Sequence, residues 1–123
     1  VDVQAESELL AALKELAADV GTEGITEIVD LFLTDSVSLL KSLRTACELD
    51  DAAAIARAAH SLKSTAATVG ATLLASYCLE MERAGRLGQV CDAIPHLTSV
   101  EDEHAHVSGA LSALRSQLVA AHD

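Results

Sequence analysis

The sequence predicts an all-α protein, an up-down antiparallel four-helix bundle with an additional N-terminal helix. Three observations carry that expectation. Ala (23 residues) and Leu (19) together make up a third of the 123 residues, and both favour helix. One Pro and six Gly offer few tight turns, whereas a β-sandwich needs many of them between β-branched and aromatic strands. Apolar residues also recur at spacings of three and four along most of the chain, the period of a helix with one buried face.

Leu9, Leu10, Leu13, Leu16 and Val20 mark the first helix, with Gly21 and Gly24 expected to end it. Ile25, Ile28, Val29, Phe32, Leu33, Leu39, Leu40 and Leu43 form the buried stripe of a second, which runs to about Glu48. Asp50 and Asp51 then offer a cap for a third, whose inner face carries Ile55, Ala59, Leu62, Ala66 and Val69. Gly70 closes it, as a glycine of positive φ commonly does. The fourth carries Leu73, Leu74, Tyr77, Cys78 and Met81 and ends near Gly85 to Gly88. The last carries Ile94, Leu97, Val100, Val107, Leu111, Leu114 and Leu118, with Pro95 expected in its first turn, where a missing N–H costs nothing. Short connections favour antiparallel neighbours. The length suits one domain of the usual ~100–200 residues, so residues 1–123 read as a single bundle.

The net charge is −11. Duplex and anionic-lipid binders depend on a basic excess, so no nucleic acid and no direct membrane contact are expected. No apolar run approaches the ~18 residues of a membrane span. No signal-peptide pattern opens the chain, because Glu6 and Glu8 fall where its apolar core would lie. Cys47, Cys78 and Cys91 are odd in number and form no Cys-x-x-Cys, so they read as buried, reduced thiols of a cytoplasmic protein. The chain opens at Val1, which leaves a longer parent open.

Charge is uneven. Residues 52–88 hold Arg57, Lys63, Arg83 and Arg86 against Glu80 and Glu82, a balance of +2, and the remainder holds −13. An anion is therefore expected on the third and fourth helices. His60 lies two residues from core Leu62, about 200° around the helix, and so faces outward. Arg57 and Lys63 at three residues, and Ser64 at four, share its face. Ala53, Ala56 and Ala67 flank it. On spacing alone an ordinary solvated histidine stays open. Glu101-x-x-His104 and Glu103-x-x-His106 match the spacing of di-iron bundles, but such sites need copies on different helices, so no metal is expected. His96 and His122 read as solvated. No Gly-rich nucleotide loop or Walker sequence occurs.

The stretch Ala59-His60-Ser61-Leu62-Lys63-Ser64-Thr65-Ala66-Ala67-Thr68-Val69-Gly70-Ala71 resembles the core of histidine-containing phosphotransfer (HPt) domains, patterned His-x-Leu-Lys-Gly with a later Gly. Leu74, Cys78, Met81, Glu82 and Arg86 resemble the family's Leu…Cys-x-x-Leu-Glu…Arg continuation. The resemblance covers about residues 25–90, with a helix on either side. It implies a phosphorelay intermediate. His60 takes a phosphoryl group, through Nε2, from the aspartyl phosphate of a receiver domain and passes it to a response regulator aspartate.

The resemblance further implies that Lys63 offsets the phosphate charge, with Arg57 or Arg86 helping at longer range. Ser64 stands where the family commonly has Gly; it is small, and its hydroxyl could donate to a phosphate oxygen. Gly70 reads as structural, Cys78 as core, and Glu82 as an exposed carboxylate, with a contact to Lys63 or Arg86 left open. Ala56, Arg57, Ala67 and Arg86 are expected under a docked partner. No cofactor is implied for this chain, since Mg2+ belongs to the receiver. The implied partners are response regulator receiver domains and a hybrid sensor kinase. A monomeric, cytoplasmic carrier without kinase motifs is expected, either free or tethered within a membrane-bound hybrid kinase. Two alternatives stay open: the phosphoacceptor domain of a chemotaxis-type kinase, which shares His-x-x-Lys, and a helical adaptor without phosphoryl chemistry. The dimerisation domain of histidine kinases fits less well, because Ser61 and Thr65 replace its acidic residue and its Pro.

Overall fold

The computed structural model describes residues 3–122. The side chains of Glu6, Glu8 and His122 lie outside the described residues. Helices α1 (Val3–Glu48), α2 (Ala52–Thr68), α3 (Thr72–Arg86) and α4 (Val90–His122) account for almost all of the described chain, with no strand among the described residues. Gly21 interrupts α1 with φ 75° and ψ 175°, a left-handed backbone that glycine adopts without strain. The two arms of α1, 3–20 and 22–48, therefore supply the additional helix and the first helix of the bundle. Gly24, expected to share this break, continues the second arm; a Cβ there would meet the Val20 side chain at 2.7 Å.

The three connections end their helices in the same way. Asp51, Ala71 and Gln89 donate backbone N–H to the carbonyls of Ala46, Ala66 and Ala84 at 3.0, 2.9 and 2.9 Å. The residue before each, Asp50, Gly70 or Gly88, has φ of 51°, 77° or 71°. This is the closure that satisfies the last carbonyls of a helix. The Asp51 carboxylate then accepts from the Ala54 amide at 3.1 Å and starts α2.

The inner stripe of α2 is as expected: Ile55, Ala59, Leu62, Ala66 and Val69 are all buried. It packs most extensively on α3, with Leu74, Cys78 and Met81 fully buried across from it. On the N-terminal arm, Leu9 and Leu13 are buried and Leu16 packs against the core. Leu10 and Val20 stay exposed, contrary to expectation, because this arm turns the face of Leu9, Leu13 and Leu16 to the core. Pro95 also departs from expectation: it is the sixth residue of α4 rather than part of its first turn. Its missing N–H leaves the Cys91 carbonyl without a helical donor on a face where Cys91, Ile94 and Pro95 are all exposed. Ile94 is accordingly no core residue. Cys47 and Cys78 are buried but Cys91 is not, and burial pushes the Cys78 thiol up to about 12.

Among the described residues four polar side chains are buried: Ser36, Glu82, Glu103 and His104. His104 of α4 and Ser36 of α1 join through Nε2 and Oγ at 2.8 Å, and the Phe32 ring lies 5.9 Å from the imidazole. His104 thus belongs to the core, while Glu103 contacts His106 at 3.4 Å. His96 is half-buried rather than solvated. No helix of the described residues is long and apolar enough to cross a membrane.

Candidate functional site

With Ala59 and Leu62 facing the core, His60 is turned outward; just over half of its side-chain surface is open. Lys63 lies one turn on, half-buried between α2 and α3. From α3, Glu82 enters this seam. It directly follows core residue Met81 and sits one turn after Cys78, so the apolar stripe of α3 carries it inward until its side chain is only 5% exposed. The expectation of an exposed Glu82 is therefore corrected.

The Glu82 carboxylate gathers three partners. His60 Nδ1 lies 2.9 Å from Oε2. Lys63 Nζ donates to Oε1 at 2.6 Å. Arg86 donates to Oε2 from Nε at 3.1 Å and from Nη2 at 2.6 Å. Burial alone would raise the carboxyl pKa, but the hydrogen bonds from Lys63, Arg86 and His60 outweigh it and hold it at about 2. Glu82 is thus ionised at neutral pH and can only accept. It follows that Nδ1 carries the hydrogen, and in the neutral ring Nε2 carries the lone pair. Two cations against one anion leave the cluster with one positive charge beside the imidazole.

A hollow of about 700 Å³ opens next to the ring, bordered by Ala53, Ala56, Arg57, His60, Gly85 and Arg86. It brings together Ala56, Arg57, Arg86 and His60 of the residues expected from sequence. Lys63 reaches the cluster through Glu82 rather than the hollow. Ser64 and Ala67 are exposed further along α2 and do not border the hollow; the Ser64 carbonyl accepts from Thr68 Oγ1 at 3.1 Å. Gly70 stands at the far end of α2, closing it with φ 77°. Sequence reasoning missed the burial of Glu82 and its bond to His60. Its signal was an acid at the edge of an apolar stripe, with Arg86 at the favourable fourth position after it. Among the described residues, no group of three His, Cys, Asp or Glu is placed to hold a metal ion.

Comparison with known proteins bears on the family and the fold. The family described as Hpt domain matches residues 27–119. The crystal structure of histidine-containing phosphotransfer protein B (HptB) from Pseudomonas aeruginosa PAO1 superposes with a TM-score of 0.82 at 33% identity, covering 87% of this chain and 92% of that one. The phosphorelay protein LuxU of Vibrio vulnificus strain YJ016 is 26% identical over 90 residues, 73% of this chain and 78% of LuxU. LuxU of strain CMCP6 gives the same figures.

Proposed function

The chain belongs to the Hpt domain family, and on that premise we propose that His60 is the residue on which it carries a phosphoryl group. Hpt proteins are phosphotransfer carriers of two-component phosphorelays rather than kinases. The observation that supports His60 most directly is its exposed imidazole, bonded through Nδ1 to an ionised carboxylate.

In the proposed reaction the Nε2 lone pair attacks the phosphorus of a receiver's aspartyl phosphate. The Nε2–P bond forms, the P–O bond to the aspartyl carboxylate breaks, and that carboxylate departs with the electron pair. No proton has to leave Nε2. The ring becomes cationic as the bond forms, and Glu82 at 2.9 Å from Nδ1 offsets that charge. Phosphoryl transfer runs through a loose transition state that asks mainly for positioning and charge stabilisation. Lys63 and Arg86, both anchored on Glu82, supply positive charge for the phosphoryl oxygens. Ser64 is a small neighbour of the path whose hydroxyl offers one further donor.

The partners in this reading are receiver domains of response regulators and of a hybrid sensor kinase. They dock on α2 and α3 over the hollow of Ala56, Arg57 and Arg86, with Ala67 exposed further along α2. The receiver contributes Mg2+, and the carrier acts as a cytoplasmic monomer without a cofactor of its own. The test is incubation with a phosphorylated receiver. Wild type should acquire an acid-labile label and His60→Gln none; a label retained by His60→Gln overturns the assignment.

A further inference from the structure

Gly85 lies one turn after Glu82 on α3, and Ala56 lies one turn before His60 on α2. The two helices run antiparallel, so these pairs are neighbouring rungs of one seam. Gly85 is buried. A Cβ built on it would stand 2.8 Å from the Ala52 carbonyl oxygen, 2.8 Å from the Ala56 amide nitrogen and 3.1 Å from the Ala56 Cα. All three are backbone atoms of α2 and cannot swing aside as a flexible side chain would. Gly85 is also helical, with no positive φ to explain a glycine there.

We infer that Gly85 is a positioning residue for His60: its missing side chain sets the α2–α3 separation at which the Glu82 carboxylate reaches Nδ1. Relieving a 2.8 Å approach to an ordinary carbon–heteroatom contact requires local separation by about 0.6 Å or more. The same displacement one turn away would stretch the 2.9 Å bond from Nδ1 to Oε2 to the limit of hydrogen bonding, near ~3.5 Å. Arg86, on α3 with Glu82, holds the same Oε2 through two bonds, so that oxygen has little freedom to follow α2. The outcome is a ring no longer fixed in one tautomer, with part of the population carrying its hydrogen on Nε2 and unable to attack.

This inference rests on the phosphotransfer reading but is tested without phosphate. The ring nitrogens of His60 are observed by ¹H–¹⁵N correlation in the full chain, wild type against Gly85→Ala, alongside the rate of phosphate acquisition from a receiver. Wild type should show one tautomer with hydrogen on Nδ1. Gly85→Ala should show mixed tautomers and acquire phosphate about 10-fold more slowly. Gly109→Ala, where an added Cβ meets nothing within 4 Å, should leave both readouts unchanged. Sucrose, which favours the compact state, is added to any variant that is partly unfolded. Native ring nitrogens and a native rate in folded Gly85→Ala overturn the inference. So does failure to fold in sucrose, which assigns Gly85 to the fold alone. Failure of wild type to take phosphate while the tautomer shift is seen sinks only the phosphotransfer reading.

Discussion

Two histidines, each bonded across a helix seam, serve opposite ends. On the α2–α3 side, His60 is open to solvent and its Nδ1 meets an ionised carboxylate. On the α1–α4 side, His104 is buried and its Nε2 meets the Ser36 hydroxyl. An anion behind an exposed ring fixes one tautomer. A neutral hydroxyl behind a buried ring satisfies hydrogen bonding without compensating a charge, and burial lowers the His104 pKa. The surroundings differ in the same sense. The segment 52–88 carries +2 and the rest of the chain −13. The α1–α4 seam is tied at its rim by two ion pairs, Arg44 with Glu101 and Arg115 with Asp30, that involve no imidazole.

Exchanging the roles of the two histidines is the most severe test. His60→Gln should abolish phosphate acquisition with an unchanged urea midpoint. His104→Ala should keep acquisition but lose about 2–4 kcal/mol of stability, through a cavity and an orphaned Ser36 hydroxyl. A loss of acquisition in folded His104→Ala would erase the distinction. Next, Glu82→Gln should slow acquisition about 100-fold, since the growing ring charge loses its counter-charge; a rate within twofold of wild type would remove Glu82 from the reaction.

The same two groups separate in acid. With its carboxyl lowered to about 2, Glu82 contributes stability that is present above its ordinary pKa of 4.5 and is lost as pH falls from there toward 2. His104 acts at higher pH. Its folded pKa lies below 6.5, so the unfolded chain binds the proton first and stability declines as pH drops through 6.5. Urea midpoints followed from pH 7.5 downward should lose the upper limb in His104→Ala and the lower limb in Glu82→Gln. Smaller effects come last. Lys63→Ala should slow transfer about 10-fold, equivalent to ~1.4 kcal/mol, and a single-turnover assay reads it. Ser64→Gly should stay within about twofold by the same assay; a complete loss would make its hydroxyl essential.

What the sequence revealed depended on distance along the chain. The five inner residues of α2 and the outward turn of His60 follow from one helix's periodicity, which needs no knowledge of neighbours. Arg57 and Lys63 were legible for the same reason, as residues one turn from His60. Glu82 was not, because whether an acid at a stripe edge points to water or into a seam depends on the register between α2 and α3. Leu10, Val20 and Ile94 failed similarly: periodicity marks apolar residues, but burial also requires a surface to face them. Cys91 and Pro95 sit where the start of α4 is bare on one side, a fact no spacing records.

The hydrogen on Nδ1 has a consequence for how the carried group is surrendered. A phosphorylated ring that keeps this hydrogen can depart as neutral imidazole, whereas one stripped of it would have to depart as an imidazolate anion, a far poorer leaving group. On the proposed role of His60, a hydrogen retained on Nδ1 through Glu82 would keep the P–N bond exchangeable in both directions, so the carrier would hold its cargo without becoming a sink for it.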